Sequence, residues 1–102
     1  MKYDLTQCPV SDDDQPLKDE TGKVANYRTL LMRVCAADVD GDMQPVKGTD
    51  KMLRYDVYIQ LKRANGSIEL DPESVAMLTK GALAFPTIVA GQVRDYLSNP
   101  GG

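Results

Sequence analysis

From Asn26 onward the chain is cut into short apolar-periodic runs, each bounded by residues that start or stop a helix. This punctuation constrains the fold more than any other feature. Asn26 stands at an N-cap position, and behind it Tyr27, Leu30, Leu31, Val34 and Cys35 recur at helical spacing. That pattern predicts a helix over residues 27–37, stopped by "DVDGD", where Asp and Gly end helices. "DPESVAMLTKG" carries Asp71 as N-cap, Pro72 at the first helical position, Glu73 in the first turn and Gly81 at the end. "FPTIVAGQVRDYL" opens on Pro86 and sets Val89, Val93, Tyr96 and Leu97 on one face. Within it Gly91 costs about 1 kcal/mol relative to alanine. The expected reason is close approach of the backbone of helix 27–37, so that Gly91→Ala should destabilise by overpacking.

Residues 50–63 satisfy two periods. Tyr55, Val57, Ile59 and Leu61 alternate as in a strand, while Leu53, Val57 and Leu61 recur as in a helix. Thr49 or Asp50 can cap the start, Lys62 and Arg63 suit a last turn, and Asn65–Gly66 offers a left-handed stop, so the helix is the favoured reading. "SIEL" is a short extended link. Ahead of the helices, "KYDLTQCPV", "SDDDQP" and "LKDETGKVA" read as a β-hairpin or two loosely paired arms over residues 1–25. No internal repeat stands out. The expected fold is α+β: an N-terminal β-hairpin (1–25), a compact bundle of about four short helices (26–97) and a frayed tail (98–102) in one domain. A chain of 102 residues suits that size, and with six aromatics and no Trp, aliphatic side chains must fill most of the core.

"CAADVDGDMQP" raises the possibility of a calcium loop. Asp38, Asp40 and Asp42 fit the first, third and fifth ligand positions, but Gly41 falls at the fourth position and Thr49 replaces the required glutamate at the twelfth. The loop cannot wrap an oxygen cage in that form. It reads as a solvated turn whose acids accept backbone hydrogen bonds, as does "SDDDQ". The chain has no His, which removes the commonest general base, His-containing zinc sites and Ser-His-Asp triads. Neither "GxxxxGK[ST]" nor "GxGxxG" occurs. Cys8 and Cys35 are too few for a disulfide framework and are read as reduced, mostly buried groups. No catalytic residue, cofactor or metal is expected.

Net charge is −3, and the acids crowd the front: residues 1–50 hold ten acids against six bases. That balance offers no basic stripe to nucleic acid. A helix-turn-helix reading of the last two helices fails because only Gln92 and Arg94 could reach base edges. The start "MKYDLTQCPV" lacks the apolar run of a signal peptide, and no stretch approaches a membrane span of about 18 apolar residues. A cytoplasmic location with no membrane contact is the expectation.

The order of signals resembles a diffuse group of small proteins encoded in tailed phages and prophages. The likeness runs through the opening turn "DDDQPLKDETG", a helix like "YRTLLMRV", the segment "IELDPESVAML" and a last helix like "PTIVAGQVRDYL". It implies an accessory phage protein in a host cytoplasm, with no catalytic residues to carry over. Such proteins often act by occupying a surface of another protein, anti-CRISPR proteins being a prominent case. The resulting expectation is a non-catalytic monomer or homodimer that binds a protein, such as a basic nucleic-acid-handling host complex. Its candidate contacts are Asp12, Asp13, Asp14, Asp19 and Glu20 on the hairpin and Asp38, Asp40 and Asp42 in the loop. The alternatives are a virion-assembly protein that self-associates through an apolar patch including Tyr55 and Tyr58, and a small transcriptional regulator.

Overall fold

A computed structural model describes residues 1–11, 13–18 and 21–100. The elements are β1 (Lys2–Asp4), α1 (Tyr27–Ala36), α2 (Gly48–Arg63), β2 (Ser67–Glu69), α3 (Pro72–Gly81), a 3-10 turn (Ala82–Ala84) and α4 (Thr87–Ser98). The α+β class is as expected, with a two-stranded antiparallel ladder and four helices. The partner of β1 is distant in sequence: Lys2, Tyr3 and Asp4 pair with Glu69, Ile68 and Ser67. The period-2 pattern explains the register, since Tyr3 and Ile68 are buried while their strand neighbours face out. "SIEL", expected to be a link, is thus half of the ladder.

Local capping works as the sequence implies in two helices. The Asn26 side chain accepts from the Thr29 amide at 3.0 Å, and Asp71 accepts from the Ser74 amide at 2.8 Å. α2 departs from expectation at both ends. It starts at Gly48 after an N-cap, Lys47, that makes no side-chain bond, so neither Thr49 nor Asp50 is its cap. The Val46 amide donates to Asp38 O (3.0 Å) and its side chain is buried, which fixes the chain immediately before the helix. No left-handed stop closes α2. Ala64 is already extended, and the chain runs on into β2, where the Leu5 amide donates to Gly66 O (2.9 Å).

Two arginines supply the missing C-caps reciprocally. Arg28 of α1 donates to Leu61 O at 2.6 Å, near the end of α2. Arg54 of α2 donates to Val34 O at 2.8 Å and to Ala37 O at 3.1 Å, at the end of α1. The helices therefore run antiparallel, and each guanidinium meets the negative end of its neighbour's dipole. Arg54 is 5% exposed. At this junction Gly81 of α3 leaves no room for a side chain: a Cβ there would lie 2.8 Å from Val34 Cγ1 and 3.2 Å from Arg54 Nη2. Gly91, expected to be the tight crossing, has nothing within 4 Å of a Cβ position. The crossing was placed on the wrong glycine, because helical period locates a face but not the partner's backbone.

The core draws on every element, with Leu31, Val34, Val57, Leu61, Leu78 and Val93 fully buried. Burying each such side chain is worth about 1.5–3 kcal/mol. A tyrosine clasp ties the first strand to the last helix. Tyr3 OH donates to Leu97 O, Tyr96 OH donates to Asp4 O, both at 2.6 Å, and Tyr96 stacks on Tyr27 at 3.9 Å.

Residues 9–46 contain a repeat that the sequence reading missed. Val10 bridges Pro16 and Val39 bridges Pro45, both antiparallel. The Ser11 and Asp40 amides donate to Gln15 O and Gln44 O, each at 2.8 Å, and the Asp14 and Met43 amides donate to Ser11 O and Asp40 O, each at 3.0 Å. Asp14 and Met43 both lie at φ 60°. One loop design, Val followed at the same spacing by Gln-Pro, is used twice.

Candidate functional site

The acids singled out from the sequence fare differently from one another. Asp12, Asp19 and Glu20 lie outside the described residues. Asp13 accepts from the Ser11 hydroxyl, which holds its carboxyl below the ordinary range. Asp40 accepts from the Asp42 amide (2.9 Å) and the Gln44 amide (3.0 Å). The Gln44 bond, ahead of the Asp42 bond and the charges of Lys80 and Arg54, lowers its pKa. These carboxylates hold their own loops, as expected of acids in solvated turns. Asp14, Asp38 and Asp42 are exposed.

The two loops are seated on different helices. Gln92 of α4 accepts from the Val10 amide (2.8 Å) and donates to Val10 O (2.6 Å). In the second loop Gly41 lies against the end of α3, where a Cβ would come 2.2 Å from Lys80 O. The glycine is there for that contact and not for the turn, since its φ is not positive and the first loop makes the same turn with no glycine.

A different surface is left uncovered. The inner face of α2 buries Arg54, Val57 and Leu61. Its outer face carries Met52, 63% exposed, and Tyr55, 60% exposed, one helical turn apart. With half-buried Tyr58 they border a shallow groove of about 330 Å³ whose other wall is Cys35, Ala36 and Ala37 at the end of α1. Lys51 and Asp38 give the groove a charged rim. Met1, Val10, Val24, Met43, Leu83 and Ile88 are also exposed, but no two of them share one helix face as Met52 and Tyr55 do. Tyr and Met are side chains that favour the centres of protein interfaces.

Cys35 lies in this groove wall with its thiol pushed up to about 12 by burial, so it stays a neutral apolar group. Cys8 is exposed, against the expectation that both thiols would be buried. Pro9, its neighbour, is buried and takes the inward position. Among the described residues no helix is long and apolar enough to cross a membrane.

Comparison with protein-family models, with curated proteins and with solved structures finds no match.

The sequence signal for the α2 face was the double period of residues 50–63. A helix with apolar residues on both sides reads as strand and helix together. The buried Arg54 was signalled as well: it stands three residues before Val57 and seven before Leu61, on the inner stripe.

Proposed function

We propose that this protein is non-catalytic and works by binding another protein through the outer face of α2 and the end of α1. The observation that carries the reading is the pairing of exposed Met52 and Tyr55 beside the Tyr58 groove. Large apolar side chains grouped on one helix face outside the core cost solubility and contribute nothing to the fold. The acidic loops take a lesser role than composition suggested, with Asp38 contributing at the rim of the groove. In a phage setting this mode of action is that of an inhibitor that covers a surface of a host complex.

Self-association through the same patch, as in a virion-assembly protein, is the second reading, favoured by exposed Tyr55 standing beside half-buried Tyr58 at the groove. Light scattering on the purified protein separates the two. A monomer supports a foreign partner, and a dimer or ring abolished by Met52→Asp with Tyr55→Asp supports self-assembly. If that double variant keeps the parent's melting temperature but loses capture of every partner the parent recovers, the face is the binding surface. If capture is unchanged, the proposal fails.

A further inference from the structure

A second cavity, of about 270 Å³, opens where β1 meets the start of α1 and the last turns of α4. Its aromatic wall is the stacked pair Tyr27 and Tyr96, and its rim includes the acids Asp4 and Asp95. None of the described residues that line it is basic. Asp4 is held ionised by the hydroxyl and the amide of Thr6, which lower its carboxyl below the ordinary range. Asp95 is paired with Arg94 at 3.0 Å, but both side chains are about two-thirds exposed, so water screens that pair.

The phenol groups differ in one respect. Tyr3 and Tyr96 donate to backbone carbonyls of the neighbouring element. Tyr27 is 7% exposed, and its hydroxyl has no hydrogen-bond partner among the described residues. No buried polar side-chain atom of those residues lacks a partner, so the Tyr27 oxygen is open to the cavity. The charge of Asp95 reaches that phenol and helps to raise its pKa, after the larger effect of burial. A nearly buried ring thus lines a cavity with an acidic rim and keeps an accessible oxygen without a partner among the described residues.

We infer that this cavity receives a cationic side chain, a lysine ammonium or an arginine guanidinium, presented by a protein partner. The N–H groups would meet Asp95 and the Tyr27 oxygen, and the methylenes would lie on the Tyr27–Tyr96 wall. A bound cation gives the Tyr27 hydroxyl a partner and offsets two carboxylates at once. An anionic ligand would meet like charge on the rim. The site does not involve the α2 face, so it stands or falls separately from the binding reading given for that face.

The test is titration of the isotope-labelled protein with agmatine as the guanidinium probe, n-butylammonium as the ammonium probe and acetate as the anion, followed by backbone NMR. The expected result is saturable shifts for either cation confined to residues 3–7, 27 and 92–99, with no response to acetate. Tyr27→Phe keeps the ring and should weaken binding by about threefold or more. Asp95→Asn should weaken it by about fivefold or more. Arg94→Ala, which frees the Asp95 carboxylate, should tighten it. A lysine- or arginine-containing peptide that binds at least about tenfold tighter than the free amines identifies a protein side chain as the source; equal affinity would assign the pocket to small amines and overturn the partner. Shifts that do not saturate, that follow exposed Asp14 and Asp42 equally, or that survive both Tyr27→Phe and Asp95→Asn would overturn the site.

Discussion

The acidic loops and the outer face of α2 contrast in how the fold uses them. The loops looked like contact surfaces because they are charged, and on α2 the sequence suggested only an alternative apolar patch including Tyr55 and Tyr58. In the structure the second loop is built in: Asp40 bonds its own backbone and Gly41 packs on Lys80 O. Met52 and Tyr55 are left in solvent. Charge at a turn is cheaply absorbed by backbone amides, whereas surplus apolar surface on a helix has no partner within the chain. An uncovered apolar face is therefore the better sign of an external partner here.

The contrast makes its largest prediction at Gly41. Gly41→Ala should lower stability by about 3 kcal/mol, because the clash is with a backbone carbonyl that cannot swing away. Chemical denaturation with a midpoint equal to the parent's would show that the loop is loose and free to serve as a contact. Next comes Arg54 on the buried side of α2. Arg54→Met should cost about 2 kcal/mol by removing two charge-assisted bonds to the end of α1. No loss would mean that the inner face does not anchor the helix pair.

Gly91→Ala should have the opposite sign, a gain of about 0.4–1 kcal/mol, since the site is open and alanine reduces the entropy of the unfolded chain. Destabilisation would restore the crossing expected from sequence. The smallest effect concerns acid. The carboxyls of Asp4, Asp13, Asp40 and Asp71 are all held below their ordinary values by hydrogen bonds. A lowered carboxyl pKa contributes stability that is present above the unfolded value, near 3.9, and is lost as pH falls through the folded one. The melting temperature should therefore hold from about pH 5 upward and drop below about pH 4. Asp40→Asn should flatten that drop if the second loop is held by its carboxylate.

Much of this fold was legible because local chemistry decides it. Asn26, Asp71 and Pro72 open their helices where expected, and the apolar stripes of α1 and α4 face the core. What was hidden depended on distant partners. β1 finds β2 across most of the chain, and three residues with one inward side chain each give too little pattern to announce a pairing. The reciprocal arginine caps depend on how α1 lies against α2. The doubled loop escaped notice because its likeness is mostly in hydrogen bonds, with only Val, one Asp (Asp13 and Asp42), Gln-Pro and a following Lys common to "VSDDDQPLK" and "VDGDMQPVK". Of the candidate site, Tyr55 and Tyr58 were named from the sequence, but which face of the helix would be left bare needed the packed structure.

The central claim is that the outer face of α2, and not the acidic loops, meets the partner. Site-specific photocrosslinking tests it directly: benzoylphenylalanine replaces Tyr55 in one variant and Met43, at the tip of the second loop, in another, and each is irradiated in producing cells. A discrete adduct is expected from position 55 and none from position 43, its mass separating a second copy of the chain from a different protein. A discrete adduct from position 43 with none from position 55 would contradict the claim.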